Sequence, residues 1–351
     1  MKRKPILLVI LMFFHSAKSQ TLTDAKNLQT DLLNGYKKGV IPVLNQSQPL
    51  QVSIVFFLSS FNSFKEVDET LSLTGGISLN WTDPSLVWNS SSYGNIYTTI
   101  IDPEDIWIPT IFLVNSVDTL EPIGNDVKFY TTLVSNGQVF YTPGGIMKAK
   151  CRTNISKFPF DTQTCSLFIV PWGTPLTNVQ LSSIYSEARL DWFTPHSDWT
   201  LLEYYTSVSI LNNYSVYYVN LRIKRQPLYY AVMIILPTLL FSLLNPLVFI
   251  LPVESGERVS LAMTILLSYA LFLTLVSASI PATSNPMCVL LITMIVIIAL
   301  SGVIVIGAII SSKYYFLEKV DKVGKVLLRV VQMTTRKKDE VVPIDDKTEV
   351  D

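Results

Sequence analysis

The chain is short of the groups on which most enzyme chemistry depends. It has two histidines, His15 and His196, and three cysteines, Cys151, Cys165 and Cys288. No metal-ligand cluster and no Cys/His or Ser/His nucleophile arrangement can be assembled from them. The sequence therefore predicts neither an enzyme nor a cofactor. Charge is sparse as well: 15% of the residues are Asp, Glu, Lys or Arg, and the formal net charge is +0. Without a basic excess the chain is not built for a phosphate backbone, which excludes a nucleic-acid partner. Three long stretches, Leu228–Ile250, Val259–Ile280 and Pro286–Ile310, carry no charge at all. At about 1.5 Å per residue, each makes a helix long enough to cross a bilayer core.

The second of these stretches is not apolar all round. At about 100° per residue, Ser260, Thr264, Leu267, Leu271, Thr274 and Ala278 share one stripe roughly 80° wide. Polar side chains at membrane depth face a bundle interior or a wet cavity. The stripe alone fits either a pore lining or an ordinary packed interface, because Ser, Thr and small residues also serve helix contacts. Glu257 at the helix start tips the reading toward a pore, since a ring of carboxylates concentrates cations at a narrow mouth. The same carboxylate would also suit the positive end of the helix dipole.

The start of the chain reads as a secretory signal peptide over residues 1–19: Lys2-Arg3-Lys4, an apolar run to Phe14, then Ala17-Lys18-Ser19. The residues after it are then exterior and oxidising, so Cys151 and Cys165 are expected to pair. That closure is worth about 3 kcal/mol by loop entropy. Cys288 falls in a membrane stretch as a small buried hydrophobe. Acceptor triplets for N-glycans begin at Asn45, Asn89, Asn154 and Asn213, with a weaker one at Asn80 inside an expected strand. Residues 20–38 have helical spacing. From about Pro49 to Arg225 the pattern turns to short strands broken by Asn136-Gly137 and Pro143-Gly144-Gly145, which predicts an immunoglobulin-like β-sandwich. Asn285 and Pro286 read as the cap and first position of the third membrane helix. Eight Lys/Arg between Lys313 and Lys338 place the residues after the third stretch in the cytosol. There an amphipathic helix is expected over Tyr314–Met333, followed by a disordered tail.

The expected organisation is a signal peptide (1–19), a ligand-binding sandwich with an N-terminal helix (20–226), and an α-helical transmembrane bundle (227–312). The spans fall at about 228–250, 258–280 and 286–310, and the cytosolic part at 313–351. At this point a resemblance becomes specific. Cys151 to Cys165 enclose Phe158-Pro159-Phe160-Asp161. Trp81-Thr82-Asp83, Trp107-Ile108-Pro109, Trp172, Arg225-Gln226-Pro227-Leu228-Tyr229 and Gly256-Glu257-Arg258 stand in order around that loop. Over roughly residues 22–315 the chain resembles the Cys-loop receptors, the pentameric ligand-gated ion channels, and within them the cation-selective nicotinic and serotonin-receptor-like branch.

The resemblance implies an agonist site between subunits, walled by aromatics that hold a ligand cation. Trp172, Tyr214 and Tyr205 (or else Tyr204) match one face, and Phe140 and Thr142 the opposite one. Three departures weaken the match to a small quaternary amine. Val114 stands where tyrosine is common, Gly76 where an aromatic is common, and the hairpin Thr206–Asn213 lacks an adjacent cysteine pair. The resemblance also implies coupling through Glu66-Val67, Phe160-Asp161, Arg225 and Pro281, with Glu66 paired to Arg225. A pore is implied with Glu257, Ser260, Thr264, Leu267, Leu271 and Ala278 along it and Leu267 as the gate. Anion-conducting relatives carry a Pro-Ala insertion and lack the glutamate, so selectivity for monovalent cations is expected. Partners are the neighbouring subunits of a homo- or hetero-pentamer, a small-molecule agonist and membrane lipids. The location is the plasma membrane, multi-pass, with the N-terminus outside. The family has a fourth membrane helix that nothing here supplies; truncation is the first reading, with a partial sequence or a genuine three-span variant as the others. A non-conducting accessory or ligand-binding subunit is the alternative function.

Overall fold

A computed structural model describes residues 20–278, 280 and 286–316. The signal-peptide reading, Pro281, Asn285 and most of the expected amphipathic helix and tail lie outside them. The described chain divides into two units, Met1–Leu236 with Thr274–Thr293 and Pro237–Leu273 with Met294–Asp351.

The first unit opens with a helix, Leu22–Leu33, shorter than the helical spacing suggested. Thr21 caps it: its hydroxyl accepts from the Asp24 amide, and the Asp24 carboxylate accepts from the Thr21 amide, closing a capping box. Eleven strands come next: β1 (Leu50–Lys65), β2 (Thr70–Val87), β3 (Thr98–Ile101), β4 (Phe112–Leu113), β5 (Thr131–Val134), β6 (Asn136–Tyr141), β7 (Gly144–Lys150), β8 (Thr162–Val170), β9 (Val179–Ser183), β10 (Trp199–Leu211) and β11 (Tyr214–Arg225). One sheet runs β3-β5-β6-β2-β1-β9, with β7 also on β2, and the other runs β10-β11-β8-β4. Alternation builds the core between them. Val52, Ile54, Phe56 and Leu58 of β1 point inward, as do Leu71, Leu73, Ile77 and Leu79 of β2. Leu167 and Ile169 of β8 and Tyr217, Val219, Leu221 and Ile223 of β11 meet them from the other sheet. The Cys151–Cys165 disulfide, with Cα atoms 5.3 Å apart, ties the residue after β7 to β8 and so joins the two sheets.

The sandwich departs from its sequence pattern in one instructive place. Pro143-Gly144-Gly145 reads as a turn, yet β6 and β7 are one strand line along β2, with Leu79 opposite Tyr141 and Gly76 opposite Gly144. Pro143 lacks an amide to donate, but its carbonyl still accepts from Ile77, so it interrupts the ladder without reversing it.

Among the described residues, three helices are long and apolar enough to cross a membrane: a first span at Leu228–Ile250, a second at Glu257–Ala278 and a third at Val289–Tyr315. Two prolines shape the first span. A π-helical turn at Ala231–Ile235 precedes Pro237, and the helix tightens to a 3-10 turn at Val248–Ile250 just after Pro246. The third span starts later than predicted, because Pro286 sits in a turn and not at the first helical position. Within the second unit, Val248, Ala262, Ile265, Val305 and Ala308 pack together, and Asn245 donates to Ser301 at 2.6 Å between the first and third spans.

Gly75 and Gly145 offer a paired test of the sandwich. A Cβ on Gly75 would lie 2.5 Å from the Phe57 carbonyl oxygen, whereas one on Gly145 would meet nothing within 4 Å. Gly75→Ala is expected to abolish folded chain at the cell surface and Gly145→Ala to leave it intact, measured by surface labelling. Equal surface levels would contradict the packing described.

Candidate functional site

An aromatic pair stands at one end of the sandwich. Trp172 comes shortly after β8 and is 49% exposed. Its ring lies parallel to that of Tyr214, with centroids 6.3 Å apart and an interplanar angle of 12°. The two-residue turn Asn212-Asn213, with φ of 49° and 64°, delivers Tyr214 to this position. Both residues are left-handed, as the favoured hairpin turns require, and asparagine tolerates that conformation. Tyr205 does not join the pair. It faces outward on β10, whereas Tyr204 packs toward the core. Tyr205 is opposite Asn220 in a register where Tyr214 is opposite Leu211. That places it about 20 Å along the strand from Tyr214 at roughly 3.3 Å per residue. Ile210 and Leu211, both exposed, form the hairpin tip in its stead.

The outer face of the other sheet carries the second set. Phe140 lines a cleft of about 250 Å³ with Val55, Ser78, Tyr185 and Arg189. Thr142 hydrogen-bonds to Ser78 through their hydroxyls at 3.2 Å. Gly76, between Phe57 and Gly144 in the sheet, leaves this face bare where a side chain would stand. Arg189 was not legible from the sequence. It adds to the edge of β1 through the Phe56 carbonyl, and its guanidinium grips Asp191 in a two-point bond at 2.9 and 3.0 Å. It also lies 5.2 Å from the Tyr185 ring. The hydrogen bonds to Asp191 hold the Arg189 guanidinium above its ordinary pKa.

The most ordered electrostatic feature of the first unit is Arg225, whose side chain is 1% exposed. Its Nε donates to Asp161 Oδ1 at 2.7 Å and its Nη2 to Asp161 Oδ2 at 3.2 Å. The Glu66 carboxylate sits 2.6 Å from Nη2. The rings of Trp199, Phe158 and Tyr230 lie 4.3, 4.9 and 5.2 Å from the guanidinium carbon. Burial alone would lower the guanidinium pKa and is the largest influence. The hydrogen bond and charge of Asp161 and the charge of Glu66 outweigh it, so the group is held above its ordinary value. Asp161, on the disulfide loop, is thus the principal partner, and Glu66 is the more exposed second one. Gln163 also donates to Asp161 at 2.5 Å. Beside this cluster Val67 and Phe160 are each 59% exposed. The Val289 amide at the start of the third span donates to the Ser156 carbonyl of the disulfide loop at 3.2 Å.

The second span is divided lengthwise. Arg258, Ala262, Ile265, Tyr269 and Val276 are buried. Ser260, Thr264, Leu267, Leu271, Thr274 and Ala278 are all exposed, Leu267 by 63% and Leu271 by 59%. At about 100° per residue the two sets are centred about 170° apart, and Glu257 lies about 60° from the centre of the exposed stripe. Arg258 is turned to the buried side. Its guanidinium donates to the carbonyls of Leu251 (2.6 and 3.0 Å) and Phe249 (3.2 Å) and to the Ser311 hydroxyl (3.0 Å). These contacts satisfy the last carbonyls of the first span and keep a positive charge off the stripe. Among the described residues, no group of three or more His, Cys, Asp or Glu is placed to hold a metal ion. Asn45, Asn89, Asn154 and Asn213 are exposed, while Asn80 lies half-buried in β2.

Comparison with known proteins places these features in a family. Residues 25–227 match the neurotransmitter-gated ion-channel ligand binding domain, and residues 234–345 match the neurotransmitter-gated ion-channel transmembrane region. The acetylcholine receptor subunit beta-type unc-29 of Caenorhabditis elegans is 30% identical over 298 residues, covering 84% of this chain and 59% of the relative. The human neuronal acetylcholine receptor subunit beta-4 is 31% identical over 294 residues, covering 81% of this chain and 58% of the relative. The beta-type subunit lev-1 of Caenorhabditis elegans is 34% identical over 264 residues, covering 74% and 50%. The chain thus spans less than two thirds of the length of these relatives. With the ligand binding domain matched over residues 25–227, the transmembrane region over 234–345 and acetylcholine receptor subunits among its relatives, the chain belongs to the neurotransmitter-gated ion channels, the Cys-loop receptors, in their nicotinic branch.

Proposed function

We propose that this chain is a subunit of a ligand-gated, cation-selective channel in the plasma membrane, with its sandwich outside the cell and its pore lined by the second span. The observation that carries the reading is the lengthwise division of that span. Its buried face is spent on packing within the chain, and the hydroxyl-leucine stripe is left exposed on the opposite side. Packed as a ring of pentameric subunits, such stripes line a common axis. Leu267 and Leu271 then form apolar rings that dewet and close the path, and Glu257 rings the inner mouth with negative charge.

Ligand bound between subunits, on Trp172 and Tyr214 of one and on the Phe140 and Thr142 face of the next, biases the open assembly by its differential affinity. The bare face at Gly76, the apolar hairpin tip and the absence of Tyr205 from the pair favour a ligand bulkier or more apolar than a small quaternary amine. The sandwich passes the change to the spans through Glu66, Val67, Phe160, Asp161 and Arg225, with Pro281 in the connection after the second span.

Leu267→Ser is expected to raise the standing current without any ligand, because a hydroxyl ring wets the gate. Whole-cell recording checks it, and an unchanged resting current would remove Leu267 from the gate. Glu257→Gln is expected to move the reversal potential toward that of chloride when external sodium chloride is diluted. A reversal potential that stays at the wild-type value would dissociate selectivity from Glu257. Asp161→Asn leaves Arg225 buried with half its compensation, a loss on the order of 3–5 kcal/mol, and should empty the cell surface of folded chain. Glu66→Gln, at a more exposed partner, should keep the chain folded but alter opening. Equal surface levels of the two variants would contradict this ranking.

A further inference from the structure

The second span begins just after a fixed turn. Val253–Ser255 form a 3-10 turn that follows Pro252 and ends at Gly256, whose φ of 70° is left-handed. The Ser255 hydroxyl closes the turn by donating to the Pro252 carbonyl at 2.8 Å. Two acidic side chains stand here, Glu254 within the turn and Glu257 at the first position of the helix, and both are exposed. The sequence offers no reason to separate them, but their surroundings differ.

The Tyr315 hydroxyl donates to Glu254 Oε1 at 2.5 Å, the length of a charge-assisted bond from a hydroxyl to a carboxylate. Tyr315 is the last residue of the third span. One turn before it, the Ser311 hydroxyl accepts from Arg258 at 3.0 Å. Ala308, Ser311 and Tyr315 follow at i, i+3 and i+7, so they share one face of the third span. Two bonds to that face, one from each side of Gly256, fasten the turn to the third span.

The direction of the pull decides what Glu254 can do. Val305 and Ala308 pack with Ala262 and Ile265, which lie on the side of the second span away from the hydroxyl-leucine stripe. The face that carries Tyr315 is therefore across the second span from that stripe, and Glu254 is drawn to it. Glu257, on the helix itself, lies about 60° from the centre of the stripe.

We propose that Tyr315 is a positioning residue for ion conduction. Its hydroxyl holds the Glu254 carboxylate against the third span, so that Glu257 alone sets the charge of the inner mouth. Without that bond the flexible stem of Glu254 turns toward the axis and adds a second carboxylate from each subunit. A carboxylate at a narrow mouth concentrates cations, and at the cytosolic end it favours outward flow. The proposal rests on the second span lining the pore, as proposed above.

Tyr315 is 52% exposed, and Tyr315→Phe keeps the ring and its edge contact with Phe316, so the variant retains the fold, checked by surface labelling. Single-channel conductance is read in excised patches from chains carrying Leu267→Ser, which are expected to open without ligand. Tyr315→Phe is expected to raise outward conductance about twofold at low salt, and less at about 1 M salt, where charge is screened within about 3 Å. Glu254→Gln alone is expected to leave the conductance at the parent value, and Tyr315→Phe combined with Glu254→Gln to return it there. An unchanged conductance in Tyr315→Phe would overturn the latch. So would a fall in Glu254→Gln alone, or a rise that persists in the double variant. Glu257→Gln tests the underlying reading and is expected to lower the conductance of the parent. If it does not, or if the Leu267→Ser chain never opens, the pore reading fails and the latch with it, a result distinct from a Glu257-sensitive pore that ignores Tyr315.

Discussion

The second span can bury only one side of itself, and the rest of the protein is arranged around that constraint. A helix with Ala262, Ile265, Tyr269 and Val276 on one side has found its packing partners. The opposite side presents Ser260, Thr264 and Thr274 with two leucines between them, a surface ill suited to lipid along its whole length. In the proposed ring that side faces a water-filled path, and the hydroxyls are kept from hydrocarbon.

Two buried arginines show how the chain places positive charge. Arg225, inside the first unit, is compensated by Asp161 and Glu66 and enclosed by three aromatic rings. Taking a guanidinium out of water is costly, and the two-point bond to Asp161 offsets that cost with good geometry. Arg258, inside the second unit, has no carboxylate among its partners. It is held by backbone carbonyls at the end of the first span and by Ser311. A lysine could not span the same set of acceptors, since its single ammonium has no planar fork. The first arginine gives the disulfide loop a fixed place beside the end of β11. The second keeps its positive charge on the buried side of the second span, away from the exposed stripe.

Much of the fold was legible because its periods are plain. The inward residues of β1 and β11 alternate cleanly, and the uncharged stretches announce the spans. The Phe-Pro-Phe-Asp loop located the disulfide, and the order of motifs located the family. What escaped was set by register and by neighbours. Pro143 looked like a turn because the sequence shows its missing amide but not the carbonyl that Ile77 uses. Tyr205 looked close to Tyr214 because nine residues of sequence do not reveal where a hairpin reverses. The turn falls at Asn212-Asn213, which leaves Tyr205 far down the strand. Glu66 was a visible partner for Arg225, but the two-point bond belongs to Asp161, whose burial no spacing discloses. Arg189 and its grip on Asp191 depend on segments that carry no periodic signal at all.

Whether the stripe of the second span faces an aqueous path is open to direct measurement. Single cysteines placed at Ser260, Thr264, Leu267 and Thr274, and at Ala262, Ile265 and Tyr269, in a chain carrying Cys288→Ala, would be exposed to a water-soluble thiol reagent while current is recorded. Cysteines on the stripe are expected to be modified and to change the current, and those on the buried side are not. Modification of the buried side with a silent stripe, or no difference between the two, would contradict a water-facing stripe.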